Sequence, residues 1–244
     1  MKHKSTNLHR IVALLFVTVV TVSTISLATD PPDSAVSPQT GDVHIADPVT
    51  NSSEDIDYVI DPPGPQTEPG IYTLADHSLD DRRPRLVIAS NGDSWVVWWR
   101  DDTTDKVIVR KRTESTGSWT GERDVSESDE SSRSPRIVHD GTDAWVAFEF
   151  DDNGDTSIGV TSIIDDPDPI PSRTLLGTTG YSAVDVQIHE ESGHLWVTWV
   201  DSSTLVGWSE FDYTTEAWGA EDTESYATDT VADARRRIRD EVIQ

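Results

Sequence analysis

RPRLVIASNGDSWVVW (Arg83–Trp98), SPRIVHDGTDAWVAF (Ser134–Phe148) and VDVQIHEESGHLWVTW (Val184–Trp199) are three copies of one pattern. Trp95, Trp145 and Trp196 hold the same place in each, 50 and 51 residues apart, and Pro84/Pro135 and Arg85/Arg136 recur at 51. A fixed period of this length marks stacked supersecondary units that bury their apolar faces on one another. In each copy a short apolar strand leads into a turn: Asn91-Gly92-Asp93, Asp140-Gly141-Thr142 or Ser192-Gly193. These residue types tolerate positive φ. A second strand follows (Trp95 to Trp99, Trp145 to Phe150, Trp196 to Val200), nearly continuous in apolar character, as in a strand covered on both faces. A third strand comes next (Val107 to Arg112, Ile158 to Ser162, Leu205 to Glu210), and Trp119 and Trp218 mark a fourth. The pattern predicts an all-β fold, a partial β-propeller of about three four-stranded antiparallel blades. Its domain covers 71–228, with repeats near 83–133, 134–183 and 184–228.

Three blades leave a ring open, because a closed propeller takes about four to eight. Three readings follow: a truncated product, a protomer completed by self-association through open blade faces, or a fan of sheets with exposed ends. Exposed blade faces are apolar patches that drive association. Ile71-Tyr72-Thr73-Leu74 offers one additional strand.

The 244 residues include 45 acidic and 19 basic ones, a net charge of −26. The charge is spread along the chain rather than gathered in a tail, which points to a salt-adapted protein whose self-repulsion is screened at high ionic strength. The same excess argues against a nucleic-acid partner, whose phosphates it repels. There is no Cys, so disulfides contribute nothing to stability and nucleophilic Cys chemistry is excluded.

Lys2, Lys4 and Arg10 precede an apolar run from Ile11 to Leu27, and Ser26-Leu27-Ala28 supplies small residues where a signal peptidase reads. Residues 1–28 therefore read as a signal peptide, and the chain as secreted or cell-surface, with an uncleaved membrane anchor as the alternative. Residues 29–70 hold eight of the thirteen prolines and no Trp, and read as a disordered Pro-rich linker. Asn51-Ser52-Ser53 is its glycosylation sequon. At the other end, Val231, Ala234, Ile238 and Val242 are spaced as one helical face behind Asp229 as cap, predicting a short amphipathic helix over 229–244.

The cadence SPRI…DG…WVAF…I…GSWTG resembles the blades of sialidase-like (Asp-box, or BNR-type) β-propellers and their non-enzymatic relatives. The likeness covers about residues 83–218. Thr113-Glu114-Ser115-Thr116-Gly117-Ser118-Trp119 looks like a degraded form of that family's Ser-x-Asp-x-Gly-x-Thr-Trp turn, with Gly117 where the Asp belongs. Asp212 to Trp218 is a more degraded copy. The resemblance implies a convergent set of three Arg, a Tyr nucleophile with a Glu partner and an Asp acid–base. Arg85, Arg136, Tyr181 and Tyr213 are present, but none lies in a matching local motif, and the recurrence of Arg85 and Arg136 with the blade points to a structural role.

Asp151-Asp152-Asn153-Gly154-Asp155 alternates oxygen ligands as a calcium loop does, so Asp151, Asn153 and Asp155 are the candidate metal ligands, for a structural Ca2+. No other cofactor is expected. Asp101 to Asp105 is the equivalent acidic turn in the first repeat. No Glu closes the loop at EF-hand distance, and Asp, Asn and Gly are ordinary hairpin residues. His189-Glu190-Glu191-Ser192-Gly193-His194 fails as a zinc-protease motif, which needs two His four apart on a helix. With repeat architecture and no catalytic set, the expectation is a non-enzymatic module binding a carbohydrate or protein ligand. A degenerate sialidase-like glycoside hydrolase and a truncated remnant without activity are the alternatives.

Overall fold

The computed structural model describes residues 33–39, 42–50, 54–61, 70–75, 79–126, 131–152, 155–163, 173–177, 184–191, 193–202 and 205–225. Among them are four antiparallel sheets and no helix. Sheet 1 comprises β1 (Asp33–Val36), β2 (Val43–Thr50), β3 (Glu54–Asp61) and β4 (Gly70–Ala75). Sheet 2 runs β5 (Asp80–Ile88), β6 (Ser94–Asp101), β7 (Lys106–Thr113), with a fourth position shared by β8 (Ser118–Trp119) and β9 (Arg123–Asp124), both paired to β7. Sheet 3 is β10 (Ser132–His139), β11 (Ala144–Asp152), β12 (Asp155–Ile163) and β13 (Thr174–Leu176). Sheet 4 is β14 (Val184–Glu191), β15 (His194–Ser202) and β16 (Leu205–Asp212), flanked by β17 (Ala217–Trp218) and β18 (Asp222–Ser225). The fold is a partial β-propeller, all-β as the repeat predicts.

The count differs from the sequence reading: four sheets, not three. The linker expected over 29–70 is, in its described residues, most of sheet 1. Composition averaged over that stretch hid the strands. Of its eight prolines only Pro48 lies in a described strand, and small or single aromatic residues stand where the later sheets use Trp. Ala46, Ile56, Tyr58, Leu74 and Ala75 are enough to bury a face against Leu86, Val96, Trp98 and Ile108 of sheet 2. The signal peptide of 1–28, Asn51 and the terminal helix of 229–244 lie outside the described residues.

The sheets stack face to face, and each interface is one apolar core. Sheets 2 and 3 join through Trp95, Val97, Val107 and Val109 against Val146, Phe148 and Phe150. Sheets 3 and 4 join through Trp145, Ala147, Ile158 and Val160 against Leu195, Val197 and Trp199. The second strands of sheets 2 and 3, β6 and β11, therefore send alternate side chains into two different cores, the physical reason their sequences are apolar throughout.

The first strands lie innermost, with β5 against β1 and β10, and β10 against β14. Here the repeated Pro has its effect. It offers no N–H to the ladder, and the register of β5 on β6 slips between Arg82 and Arg85, as that of β10 on β11 slips between Arg133 and Arg136. The residue before each Pro sits at positive φ (Arg83 +52°, Ser134 +55°). Each following Arg folds its Nη1 onto the Pro carbonyl, at 2.8 Å for Arg85 and 2.9 Å for Arg136. The bulges then link neighbouring sheets: Arg83 Nη1 donates to Ser134 Oγ at 2.9 Å, and Arg136 Nε to Gln187 Oε1 at 3.3 Å, each pair 51 residues apart.

Two glycines on third strands act as seats for the core aromatics. Gly159 stands opposite Phe148, and Gly207 opposite Trp199, in the strand register. A Cβ on Gly207 would lie 2.5 Å from the Trp199 indole nitrogen, and one on Gly159 2.7 Å from the Phe148 ring. Gly207→Ala and Gly159→Ala should each lower unfolding stability by about 1–3 kcal/mol through overpacking. Gly121→Ala, where nothing lies within 4 Å, should change it by less than about 0.5 kcal/mol. Urea unfolding followed by Trp fluorescence reads both.

Candidate functional site

At the turn end of the sheets, a cleft of about 440 Å³ opens between sheets 3 and 4. The Asp140 turn forms one wall. Asp140 Oδ1 accepts the backbone N–H of Thr142 and of Asp143, both at 2.8 Å, which fixes the carboxylate at the mouth of the hairpin. Gly141, at φ +98°, makes that turn possible. Asp140 Oδ2 is left to accept the indole N–H of Trp145 at 2.8 Å and the Tyr213 hydroxyl at 3.1 Å. The second hydrogen bond crosses from sheet 3 to sheet 4.

The opposite wall is the turn between β16 and β17, the degraded Asp-box copy of Asp212 to Trp218. Asp212 Oδ1 accepts the Thr214 N–H at 2.7 Å, and Oδ2 accepts the Thr215 hydroxyl at 2.9 Å. Glu216 takes positive φ (+52°), and Ala217 and Trp218 return to pair with Asp212 and Phe211. That reversal completes an aromatic box. Trp145 and Phe211 have ring centroids 4.6 Å apart, Phe211 and Trp218 5.4 Å, Trp145 and Trp218 6.0 Å at 87°, and Phe211 and Tyr213 5.1 Å at 85°. Tyr213 is exposed, Phe211 and Trp218 are half-buried and Trp145 is buried, so the box is partly open to solvent. Thr142, Thr161, Ser162 and Thr174 supply hydroxyls, and Asp143 and Glu216 further carboxylates. No basic side chain is among the described residues lining the cleft. A second hollow of about 550 Å³, around His194, Trp208 and Glu210, shares Phe211 and Tyr213 with it.

The electrostatics fix the charge states of the Asp140–Tyr213 pair. Burial works to raise the Asp140 carboxyl, but the N–H donors of Asp143 and Thr142, with Trp145 and Tyr213, outweigh it and hold it below the usual carboxylate range. Burial, then the adjacent Asp140 charge, push the Tyr213 hydroxyl well above the ordinary tyrosine value. Asp140 thus stays ionised and Tyr213 stays a phenol near neutral pH. Glycoside hydrolysis asks for the reverse, a carboxylic acid with a raised pKa beside a nucleophile. The carboxyl that burial and Asp101 do raise, Asp105, lies in the turn after β6, at the opposite end of the sheets.

The residues singled out from sequence do not converge here, apart from Tyr213. Asp151 is exposed near the end of β11, where its N–H donates to Ser131 O at 2.9 Å, and Asp155 begins β12 paired with Asp152. Asn153 lies outside the described residues, as does Tyr181. No group of three or more His, Asp or Glu among the described residues is placed to hold a metal. Arg85 and Arg136 belong to the inner-strand bulges. His189 to His194 span the β14–β15 hairpin, with His194 Nδ1 2.6 Å from Glu210 Oε1, so no helix carries that motif. Trp145 reads in the sequence as core stripe alone, and the trace of the cleft was the spacing Asp212…Trp218.

No protein-family model matches the chain, and no curated protein matches it in sequence. Its fold is similar to that of solved glycan-active enzymes. The endo-arabinase of Bacteroides thetaiotaomicron superposes with a TM-score of 0.52 at 12% identity, over 84% of this chain and 83% of that one. An exo-β-1,3-galactanase of Phanerochaete chrysosporium gives 0.51 at 11% identity, over 81% and 50%, and polysaccharide lyase Uly1 gives 0.54 at 8%, over 80% and 60%. The chain thus spans about half of the galactanase. At these identities the likeness concerns the backbone fold.

Asp140→Asn should move the Tyr213 titration downward, since it removes the neighbouring negative charge. The measurement is alkaline tyrosinate absorbance, differenced against Tyr213→Phe. Because the folded Asp140 pKa is depressed, its carboxylate stabilises the fold above the ordinary carboxylate pKa. That contribution disappears as pH falls through the folded value, so the wild-type advantage over Asp140→Asn should vanish in acid.

Proposed function

We propose that the sheets form a carbohydrate-binding module that does not turn its ligand over, in an exported, salt-adapted protein. The observation that carries this reading is the box of Trp145, Phe211, Tyr213 and Trp218, rimmed by ionised carboxylates and hydroxyls. Sugar rings present C–H faces that pack on aromatic rings and hydroxyls that donate to carboxylates, the mixture of apolar wall and few polar groups that small-molecule sites use. A protein ligand would favour a broader apolar patch, and an anionic ligand a basic lining. The propeller likeness to enzymes named for arabinan, galactan and polysaccharide supports a glycan as the ligand class and leaves catalysis undecided.

The second reading is a degenerate glycoside hydrolase of sialidase type, whose support is the same fold likeness. Its catalytic carboxylates would have to sit where the inner strands converge. There Arg83 is committed to Ser134, Arg136 to Gln187, and Asp33 Oδ2 accepts the Leu86 N–H at 2.6 Å. Tyr213, the candidate nucleophile, lies in the rim cleft instead.

Affinity electrophoresis against arabinan and β-1,3-galactan, with reducing-end release followed in parallel, separates the readings. Retarded migration without release is expected. Trp218→Ala should weaken retardation about tenfold, the loss of roughly 1.4 kcal/mol of ring contact. Release of sugar that a single carboxylate substitution abolishes would replace binding by hydrolysis, and unretarded migration on both glycans would remove both as ligands.

A further inference from the structure

The described residues form no fifth sheet over the outer face of sheet 4, yet the centre of that face is buried. Leu195, Val197 and Trp199 point into the core shared with sheet 3. Trp196, Thr198 and Val200 alternate with them on β15 and so face away. Val206, Trp208 and Glu210 of β16 stand opposite Val200, Thr198 and Trp196 and share that face. Despite this, Trp196 and Thr198 are 4% exposed, Val200 8% and Val206 2%. None of them belongs to the three inter-sheet cores. The other end of the stack behaves differently. On the free side of sheet 1, Val36 is 61% exposed and Ile71 65%. The edge strands of sheet 1 are thus open where the central strand of sheet 4 is covered.

We propose that the C-terminal segment, residues 226–244, docks on this face and takes the place of a fifth sheet. The chain leaves sheet 4 at Ser225, which pairs with Leu205 beside Val206, at the edge of the face to be covered. Sixteen residues from Asp229 to Gln244 would form a helix about 24 Å long, and Trp196 to Val200 spans only about 13 Å of strand. Val231, Ala234, Ile238 and Val242 provide one apolar stripe at helical spacing. Charge agrees as well. The rim carries Glu210, 46% exposed at its side chain, and the exposed Asp222, whereas the segment holds Arg235, Arg236, Arg237 and Arg239. Trp196 Nε1, buried without a partner among the described residues, offers a donor to the incoming chain. A terminal repeat that caps an apolar stack in this way keeps a repeat protein soluble and prevents sheet-on-sheet association.

Hydrogen exchange on the full chain tests the docking. Amides of 231–242 should exchange slower than free chain by on the order of tenfold or more. Thr198→Arg, placed on the face, should abolish that protection while β6 and β11 stay protected. Free exchange over 231–242 in the wild type, or protection indifferent to Thr198→Arg, overturns the proposal. A chain ending at Ser225 gives a second measurement in molar KCl. Its Trp emission should shift to the red and the protein should self-associate, both reversed by the synthetic peptide 226–244. Unchanged emission in a monomer overturns docking, and so does a full-length protein already dimeric through this face, since a second copy would then be the occupant.

Discussion

The stack depends on one constraint: the second strands of sheets 2, 3 and 4 must be buried on both sides at once. A single antiparallel sheet can leave one face in water, but β6, β11 and β15 carry large apolar residues at consecutive positions. Trp98 and Phe148, among the most deeply buried side chains, lie in different cores from their neighbours Val97 and Ala147. Such a strand is stable only with cover on both faces, so stacking is compulsory rather than incidental. The glycines at 159 and 207 follow from the same constraint, because an aromatic ring laid flat across a neighbouring strand leaves no room for a Cβ there.

This constraint also explains which parts of the architecture were legible in the sequence. The Trp-centred repeats announced sheets 2, 3 and 4 because doubly buried strands have an unmistakable composition. Sheet 1 was hidden because its described residues share a core with one neighbour, sheet 2. It packs on that neighbour through Ala46, Ile56 and Tyr58 and carries no Trp. Terminal repeats are atypical for this physical reason. The bulge at Arg83-Pro84-Arg85 was visible as a repeated Pro, but its role in hydrogen bonding one sheet to the next at the 51-residue interval required the register.

The cleft was harder to read because its parts are divided between repeats. Trp145 is a core residue in its own sheet and a wall of the site in relation to the next. Phe211, Tyr213 and Trp218 come from the other side, and the turn that presents them had lost the glycine-centred signature by which such turns are found. Asp212 replaces that signature with two local hydrogen bonds, and Glu216 accepts the positive φ. Geometry survived where the motif did not, so a motif search underestimates this turn.

The same logic separates the rim from the axis as a place for ligand. Polar groups on the inner strands are engaged in holding sheets together: Arg83 with Ser134, Arg136 with Gln187, Asp33 with the Leu86 amide. A ligand there would have to displace bonds on which the stack depends. At the rim, by contrast, Asp140 is ionised and positioned by its own turn, and the aromatic rings of sheet 4 are anchored on one side only. Contacts to a ligand at that position add to the fold's interactions without competing with them.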